Sequence, residues 1–88
     1  MEISFDPTKD AGNIEKHGVS LAEASGFEWD EAIIWADQRH EYGENRMIGL
    51  GYIGDRLFNV VFVDRGAVYR IISLRKANQR EVKRYAQT

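Results

Sequence analysis

The chain has no cysteine, one proline and two histidines among its 88 residues. The absence of cysteine excludes disulfide scaffolds, thiol catalysis and cysteine-ligated zinc. Two histidines without a nearby third ligand argue against a zinc site of any other kind. No apolar run approaches the roughly 18 residues that a membrane-spanning helix needs. We therefore expect a cytoplasmic protein that uses no metal and no organic cofactor.

Length and composition predict one small globular domain spanning residues 1–88. The hydrophobic fraction is 43% and the charged fraction is 30%, which is typical of a folded chain and not of a disordered one. A chain this short buries only a small core. An enzyme of this size must therefore place its site on an exposed sheet face or at the ends of helices and strands.

Charge is distributed unevenly along the chain, although the net charge is only −2. From Arg65 to Thr88 there are seven basic residues and one acidic residue, whereas the first 64 residues carry five basic and thirteen acidic ones. A basic C-terminal part favours a phosphate-bearing partner such as a nucleic acid. The alternative is a solvated, charged helix with no partner.

Capping residues mark the starts of three helices, because their side chains accept the free N–H groups of a first turn. They are Asp6 before Pro7, Ser20 with Glu23, and Asn78 with Glu81. The predicted helices run from Pro7 to about His17, ended by Gly18, from Leu21 to about Phe27, and from Asn78 towards the C-terminus.

Apolar and alternating runs predict the strands. A weak first strand lies at Glu2–Phe5, and stronger ones lie at Ala32–Asp37, Arg46–Ile53, Arg56–Val63 and Val68–Leu74. The turns between the last three strands are too short for a crossover, so they predict an antiparallel meander with Arg56–Val63 at its centre. The expected fold is α+β: a curved antiparallel sheet of three to four strands, with two N-terminal helices and one C-terminal helix packed mainly on one face.

The most informative stretch is Arg70–Ala77, where a strand leads into a basic corner. The guanidinium groups of Arg70 and Arg75 match phosphate geometry, Lys76 adds a point charge, and Ser73 adds a hydrogen bond. On a regular strand, residues five apart point to opposite faces, so the two arginines converge only if the strand ends or bulges near Leu74. The alternatives are that Arg70 pairs with a carboxylate on the sheet and that Arg75 and Lys76 are solvated surface residues.

Two further clusters contain groups that could move protons or contact phosphate. In Asp37–Arg46, His40 or Glu44 could transfer a proton, and Arg39 and Arg46 could contact RNA. The alternative there is a polar loop with ordinary Asp37–Arg39 and Glu44–Arg46 ion pairs. On the first helix, the residues Lys9, Asn13, Lys16 and His17 form one polar stripe. The alternative for its last two members is that they complement the negative end of the helix dipole.

Together these clusters resemble the BrnT toxins of bacterial toxin–antitoxin pairs. The resemblance lies in Phe5-Asp6 with Lys9 and Asn13, in Lys16-His17-Gly18-Val19, in Asp37-x-Arg39 with Tyr42-Gly43-Glu44 and Arg46, and in Arg70–Ala77 followed by Glu81 and Tyr85. It covers nearly the whole chain. It implies a RelE-like fold, endoribonuclease activity, and a BrnA antitoxin that binds DNA and neutralises the toxin. Trp35 and the glycine-rich strand Gly49–Gly54 are not part of the pattern.

The sequence thus predicts a metal-independent endoribonuclease that inhibits growth, in which the RNA 2′-hydroxyl attacks the adjacent phosphate. The alternative is a non-enzymatic module that binds nucleic acid or the antitoxin. The expected partners are RNA and a BrnA-like antitoxin, with DNA reached only through the antitoxin and no membrane contact. Expected catalytic residues are Arg70, Arg75, Lys76, Arg46, Glu44 and His17, and expected RNA-binding residues are Lys9, Lys16, Arg39, His40, Ser73 and Arg80. The choice of proton carrier among His17, His40 and Glu44 stays open.

Overall fold

A computed structural model describes residues 1–39, 41 and 43–88. It confirms an α+β fold. The strands are β1 (Glu2–Ser4), β2 (Ile33–Ala36), β3 (Arg46–Ile53), β4 (Arg56–Asp64) and β5 (Val68–Lys76), and the α-helices are α1 (Pro7–His17) and α2 (Gln79–Ala86). Two 3₁₀ helices, Leu21–Gly26 and Trp29–Glu31, connect α1 to β2.

The described part of the chain forms one five-stranded sheet with the order β1-β5-β4-β3-β2. Strands β2 to β5 form the predicted antiparallel meander, and β4 is central. The prediction of a wholly antiparallel sheet of three to four strands was wrong, because β1 pairs with β5 in parallel. The short-turn argument does not apply to this pair, since most of the chain lies between the two strands and can make the crossover.

The side chains of the central strand, β4, alternate between the two faces of the sheet. Phe58, Val60 and Phe62 belong to the main hydrophobic core, and we call their side the core face. The alternate residues of β4, among them Asn59 and Val61, lie on the opposite side, which we call the site face. The 3₁₀ helix Leu21–Gly26 packs on the core face through Leu21, Ala24 and the adjoining Phe27.

Helix α2 covers one end of the site face, so the prediction of helices mainly on one face was wrong for this helix. Its Tyr85 packs against a second buried cluster that contains Leu50, Leu57 and Ala77. The residues from Leu57 to Val63 are all buried. An apolar strand buried on both sides needs a cover on both sides, and α2 supplies the second cover.

The helix ends follow the predicted caps. Asp6 accepts the Thr8 N–H at 2.8 Å, and Gly18 ends α1 with a positive φ of 75°. Ser20 accepts the Ala22 N–H at 3.1 Å, but the segment after it is a 3₁₀ helix that ends at Gly26. Asn78 forms the predicted capping box at the start of α2.

The glycines of β3 make room for the core. A Cβ at Gly51 would lie 2.6 Å from the ring of Phe27, and a Cβ at Gly49 would lie 3.1 Å from Val60. Phe27 is 4% exposed and its ring lies directly over the strand. The glycine-rich strand is therefore explained by close packing with an aromatic ring.

Candidate functional site

A β-bulge brings the basic corner onto the site face. Ser73 pairs with Val61, but Ile71 pairs with Phe62, so that Ile72 is an additional residue in β5. Arg70 then lies opposite Val63, and Arg75 lies opposite Asn59. Because directly paired residues share a face, Arg70, Ser73 and Arg75 all lie on the site face. The bulge lies two residues before the predicted position, Leu74.

Helix α1 is fastened to the edge of β5 by the side chain of Asn13. This amide accepts the Leu74 N–H at 3.2 Å, donates to the Leu74 carbonyl at 2.8 Å, and donates to the Val19 carbonyl at 2.8 Å. Asn13 is 6% exposed. The Asn13 amide therefore bonds to the backbone of β5 as a neighbouring strand would, in the part of β5 that is not paired with β1. The prediction that Asn13 shares a polar stripe with Lys9 is thus wrong for Asn13, which is buried against the sheet.

The C-terminal turn of α1 reaches a cavity on the site face. The cavity has a volume of about 330 Å³ and is bounded by α1, β2 to β5 and α2. We call it the basic cavity. Its lining residues are Lys16, His17, Trp35, Arg39, Ile48, Asn59, Val61, Ser73, Arg75 and Glu81. Five of them were predicted as site residues: Lys16, His17, Arg39, Ser73 and Arg75.

Arg75 and Glu81 form the main ion pair of the cavity. Arg75 Nη1 donates to Glu81 Oε1 and Arg75 Nη2 donates to Glu81 Oε2, both at 2.8 Å. Glu81 also accepts Asn59 Nδ2 at 2.9 Å and the Asn78 N–H at 3.0 Å. Burial acts to raise the pKa of Glu81, but the hydrogen bonds from Arg75, Asn78 and Asn59 outweigh it and lower that pKa. Glu81 is therefore ionised at neutral pH.

His17 is the titratable base of the cavity. Partial burial lowers its pKa below the ordinary value of 6.5, and the charges of Lys16 and Arg75 lower it further. A lowered pKa leaves the imidazole neutral at pH 7, which is the form that can accept a proton. The cavity thus combines a neutral base with three fixed cations, Lys16, Arg39 and Arg75.

Two neighbouring contacts orient the cavity wall at β2. Arg39 makes a two-pronged ion pair with the buried carboxylate of Asp37, with both donor–acceptor distances 2.8 Å. The sequence offered this pair as the alternative to an RNA contact, yet the Arg39 side chain remains 65% exposed. The Arg84 guanidinium lies over the Trp35 ring at 3.8 Å and joins α2 to the same wall.

The other predicted residues that the structure describes lie outside the basic cavity. Arg46 and Arg70 are on the site face, and both lie opposite Val63. This row of residues is the next one along the strands from Val61, which lines the cavity. Arg46 and Glu44 line a separate recess of about 730 Å³, and Glu44 pairs with Arg65 at 3.4 Å. Lys76 pairs with Phe58 and so lies on the core face of β5. Lys9 and Arg80 are exposed. His40 is outside the described residues.

Two residues that lie beside Arg75 in the cavity were not predicted as site residues from the sequence. Asn59 is the one polar residue in the run Leu57–Val63, and that isolation was a usable signal, because a buried amide must have hydrogen-bond partners. Glu81 was assigned as a helix cap and as part of the family resemblance, with no role beside Arg75. Its second role depends on β5 lying beside α2, which no local pattern reveals.

Among the described residues, no group of three or more histidine, cysteine or acidic residues could hold a metal ion. In the same residues, no helix is long and apolar enough to cross a membrane.

Comparison with known protein families identifies the chain. Residues 5–81 match the family described as "Ribonuclease toxin, BrnT, of type II toxin-antitoxin system". No curated protein sequence matches the chain. The family match covers most of the 88 residues and includes α1, the whole β2–β5 meander and Glu81. The chain therefore belongs to the BrnT family of type II toxin–antitoxin ribonuclease toxins.

Proposed function

We propose that this protein is a metal-independent endoribonuclease that cuts RNA at the basic cavity and thereby inhibits growth. We further propose that residues 1–88 form a single RelE-like domain that acts in the cytoplasm. Family membership supports the ribonuclease activity. The proposed chemistry rests on one observation: His17 and Arg75 line the same cavity as Ser73 and Lys16.

In the proposed reaction, the RNA 2′-hydroxyl attacks the adjacent phosphorus. His17 accepts the 2′-hydroxyl proton, and the bond from phosphorus to the 5′-oxygen breaks. The products are a 2′,3′-cyclic phosphate and a 5′-hydroxyl, whose oxygen takes its proton from water. A base that is neutral at pH 7 suits the first step.

The cations of the cavity stabilise charge on the phosphate oxygens during the attack. Arg75 presents a planar set of donors, and Lys16 and Arg39 add positive charge around it. Ser73 lies between Arg70 and Arg75 on the site face and supplies a hydroxyl to a phosphate oxygen. Roles for Arg46, Arg70, Glu44 and Lys76 remain predictions, because these residues lie outside the cavity.

RNA is the proposed substrate, and a BrnA-like antitoxin is the proposed protein partner. A type II toxin requires an antitoxin that binds it. The basic surface around the cavity favours an acidic or amphipathic antitoxin segment, because opposite charges speed association and select the partner. DNA would be reached only through the antitoxin.

The test is cleavage of labelled RNA by purified protein in excess chelator, with the new ends mapped. We expect 2′,3′-cyclic phosphate and 5′-hydroxyl ends. Cleavage that needs Mg²⁺, or ends that carry a 5′-phosphate, would contradict the mechanism. Salt-sensitive RNA binding without any cleavage would instead favour the non-enzymatic binding module.

A further inference from the structure

We infer that Glu81 is a positioning residue that holds the Arg75 guanidinium so that one pair of its donors faces the scissile phosphate. This inference deepens the proposed function and, for its kinetic part, rests on it. It concerns a carboxylate in a cavity that otherwise favours anions. The question is whether Glu81 competes with phosphate for Arg75 or prepares Arg75 to receive it.

The donors of Arg75 show what is left for a ligand. A guanidinium has five N–H groups. Glu81 takes one from Nη1 and one from Nη2, and the Lys76 carbonyl accepts another from Nη1 at 3.3 Å. Among the described residues, Nε–H and the second N–H of Nη2 have no acceptor. These two groups point in parallel along one side of the guanidinium and match two oxygens of a phosphate.

Glu81 is held too firmly to be displaced easily by a phosphate. Its oxygens accept Asn59 and the Asn78 N–H in addition to the two bonds from Arg75, and its side chain is 17% exposed. Displacement would leave the amide of the buried Asn59 without its acceptor, which is costly, and would break the capping bond to the Asn78 N–H. A phosphate therefore gains more by binding the two remaining donors of Arg75 than by replacing the carboxylate.

The same contacts make the cavity depend on α2. Glu81 lies in the first turn of α2 and completes its capping box with Asn78. Arg75 lies on β5 and opposite Asn59 on β4. One carboxylate thus links two strands and a helix N-terminus, and it fixes the guanidinium along the Nη1–Nη2 edge, next to the Nε–Nη2 edge proposed for the ligand.

The first experiment needs no enzymatic activity. It records the Arg75 Nε–H signal by ¹H–¹⁵N NMR while inorganic phosphate is added. We expect this signal to shift with phosphate in the wild type while the Asn59 amide signals stay in place. The inference is wrong if phosphate moves the Asn59 amide signals and leaves Nε–H unchanged, because phosphate would then be replacing Glu81.

The second experiment measures turnover in Glu81→Gln. Glutamine keeps an oxygen for the Asn78 N–H but loses the charge and one of the two acceptors for Arg75. We expect kcat to fall about tenfold or more with little change in KM, since a displacement of about 1 Å can cost about 10²-fold. In an Arg75→Ala background, Glu81→Gln should have almost no further effect on kcat, because Glu81 acts through Arg75.

Glu23→Gln is the matched control, because it removes the same charge from an exposed position outside the cavity. It should leave kcat and KM unchanged. A lower KM with unchanged kcat in Glu81→Gln would overturn the inference. So would a double variant in which the effects of Glu81→Gln and Arg75→Ala on kcat multiply. If Glu81→Gln does not fold, the phosphate titration of the wild type decides. If the wild type shows the Nε–H shift yet cleaves no RNA, the proposed function fails and the phosphate-binding geometry stands.

Discussion

Asn13 should be among the most sensitive positions in the chain, because its side chain fastens α1 to the sheet. Asn13→Ala removes three hydrogen bonds and leaves the Leu74 N–H, the Leu74 carbonyl and the Val19 carbonyl without this partner. A hydrogen bond contributes a net ~1 kcal/mol, and a buried group left unsatisfied costs about 1–3 kcal/mol. Since water can reach part of the Val19 side, we expect a loss of about 3 kcal/mol in the free energy of unfolding.

A loss of this size is large for so short a chain. At ~0.05–0.15 kcal/mol per residue, a domain of this length has roughly 4–13 kcal/mol of stability. The melting temperature should fall by roughly 12–24 °C, given ~4–8 °C per kcal/mol in small domains. Asn13→Asp should be at least as harmful at neutral pH, because a carboxylate oxygen would then face two carbonyl oxygens.

Urea and thermal denaturation, followed by circular dichroism and tryptophan fluorescence, measure the effect. The exposed Asn45 supplies the control, and Asn45→Ala should change stability by less than ~0.5 kcal/mol. The side chain of Asn13 does not hold α1 in place if Asn13→Ala costs less than about 1 kcal/mol. In that case Lys16 and His17 would need another explanation for their position at the basic cavity.

His17 should titrate below 6.5, chiefly because of partial burial, and NMR titration measures that pKa. The unfolded chain then binds this proton at a higher pH than the folded chain, so the contribution of His17 to stability is constant above about 6.5 and falls as the pH drops below it. Urea denaturation at several pH values measures that loss. Gly51→Ala should cost about 1–3 kcal/mol, because its Cβ would lie 2.6 Å from the Phe27 ring; unchanged urea denaturation would contradict that packing. Arg75→Ala should lower kcat by about 10²–10³ with little loss of RNA affinity, whereas Arg80→Ala should affect binding more than turnover; a wild-type rate in Arg75→Ala at saturating RNA would exclude Arg75 from catalysis.

The local elements were predictable because local signals determine them. The cap at Asp6, the turn at Gly54-Asp55 and the bounds of Arg46–Ile53 were confirmed. Pairing between distant segments was not predictable in the same way. The strand β1 carries only three residues, and no feature of so short a segment states that its neighbour is β5.

The faces of α1 show how tertiary packing can reverse an amphipathic pattern. A polar stripe normally faces solvent, but Asn13 is buried and Ile14 is 47% exposed. The edge of β5 presents backbone groups that need hydrogen-bond partners, so an amide suits that position better than an isoleucine does. The requirement exists only once the sheet edge is in place, and the helix sequence alone does not contain it.

The convergence of Arg70 and Arg75 depended on a bulge that the sequence does not mark. Bulged positions are often marked by glycine, but the additional residue here is Ile72, which is β-branched and suits a regular strand equally well. The requirement for a bulge could be derived from the spacing of the two arginines, and only its position needed the structure.

Glu81 shows why a correct local assignment can still be incomplete. The capping box with Asn78 was predicted and confirmed, and it explains why an acidic residue lies at that position of α2. It does not explain why the same carboxylate also accepts two bonds from Arg75 and one from Asn59. A cap at the N-terminus of a helix needs only one acceptor oxygen. The additional bonds therefore indicate a requirement at the cavity, where a charged carboxylate determines which donors of Arg75 remain available to a phosphate.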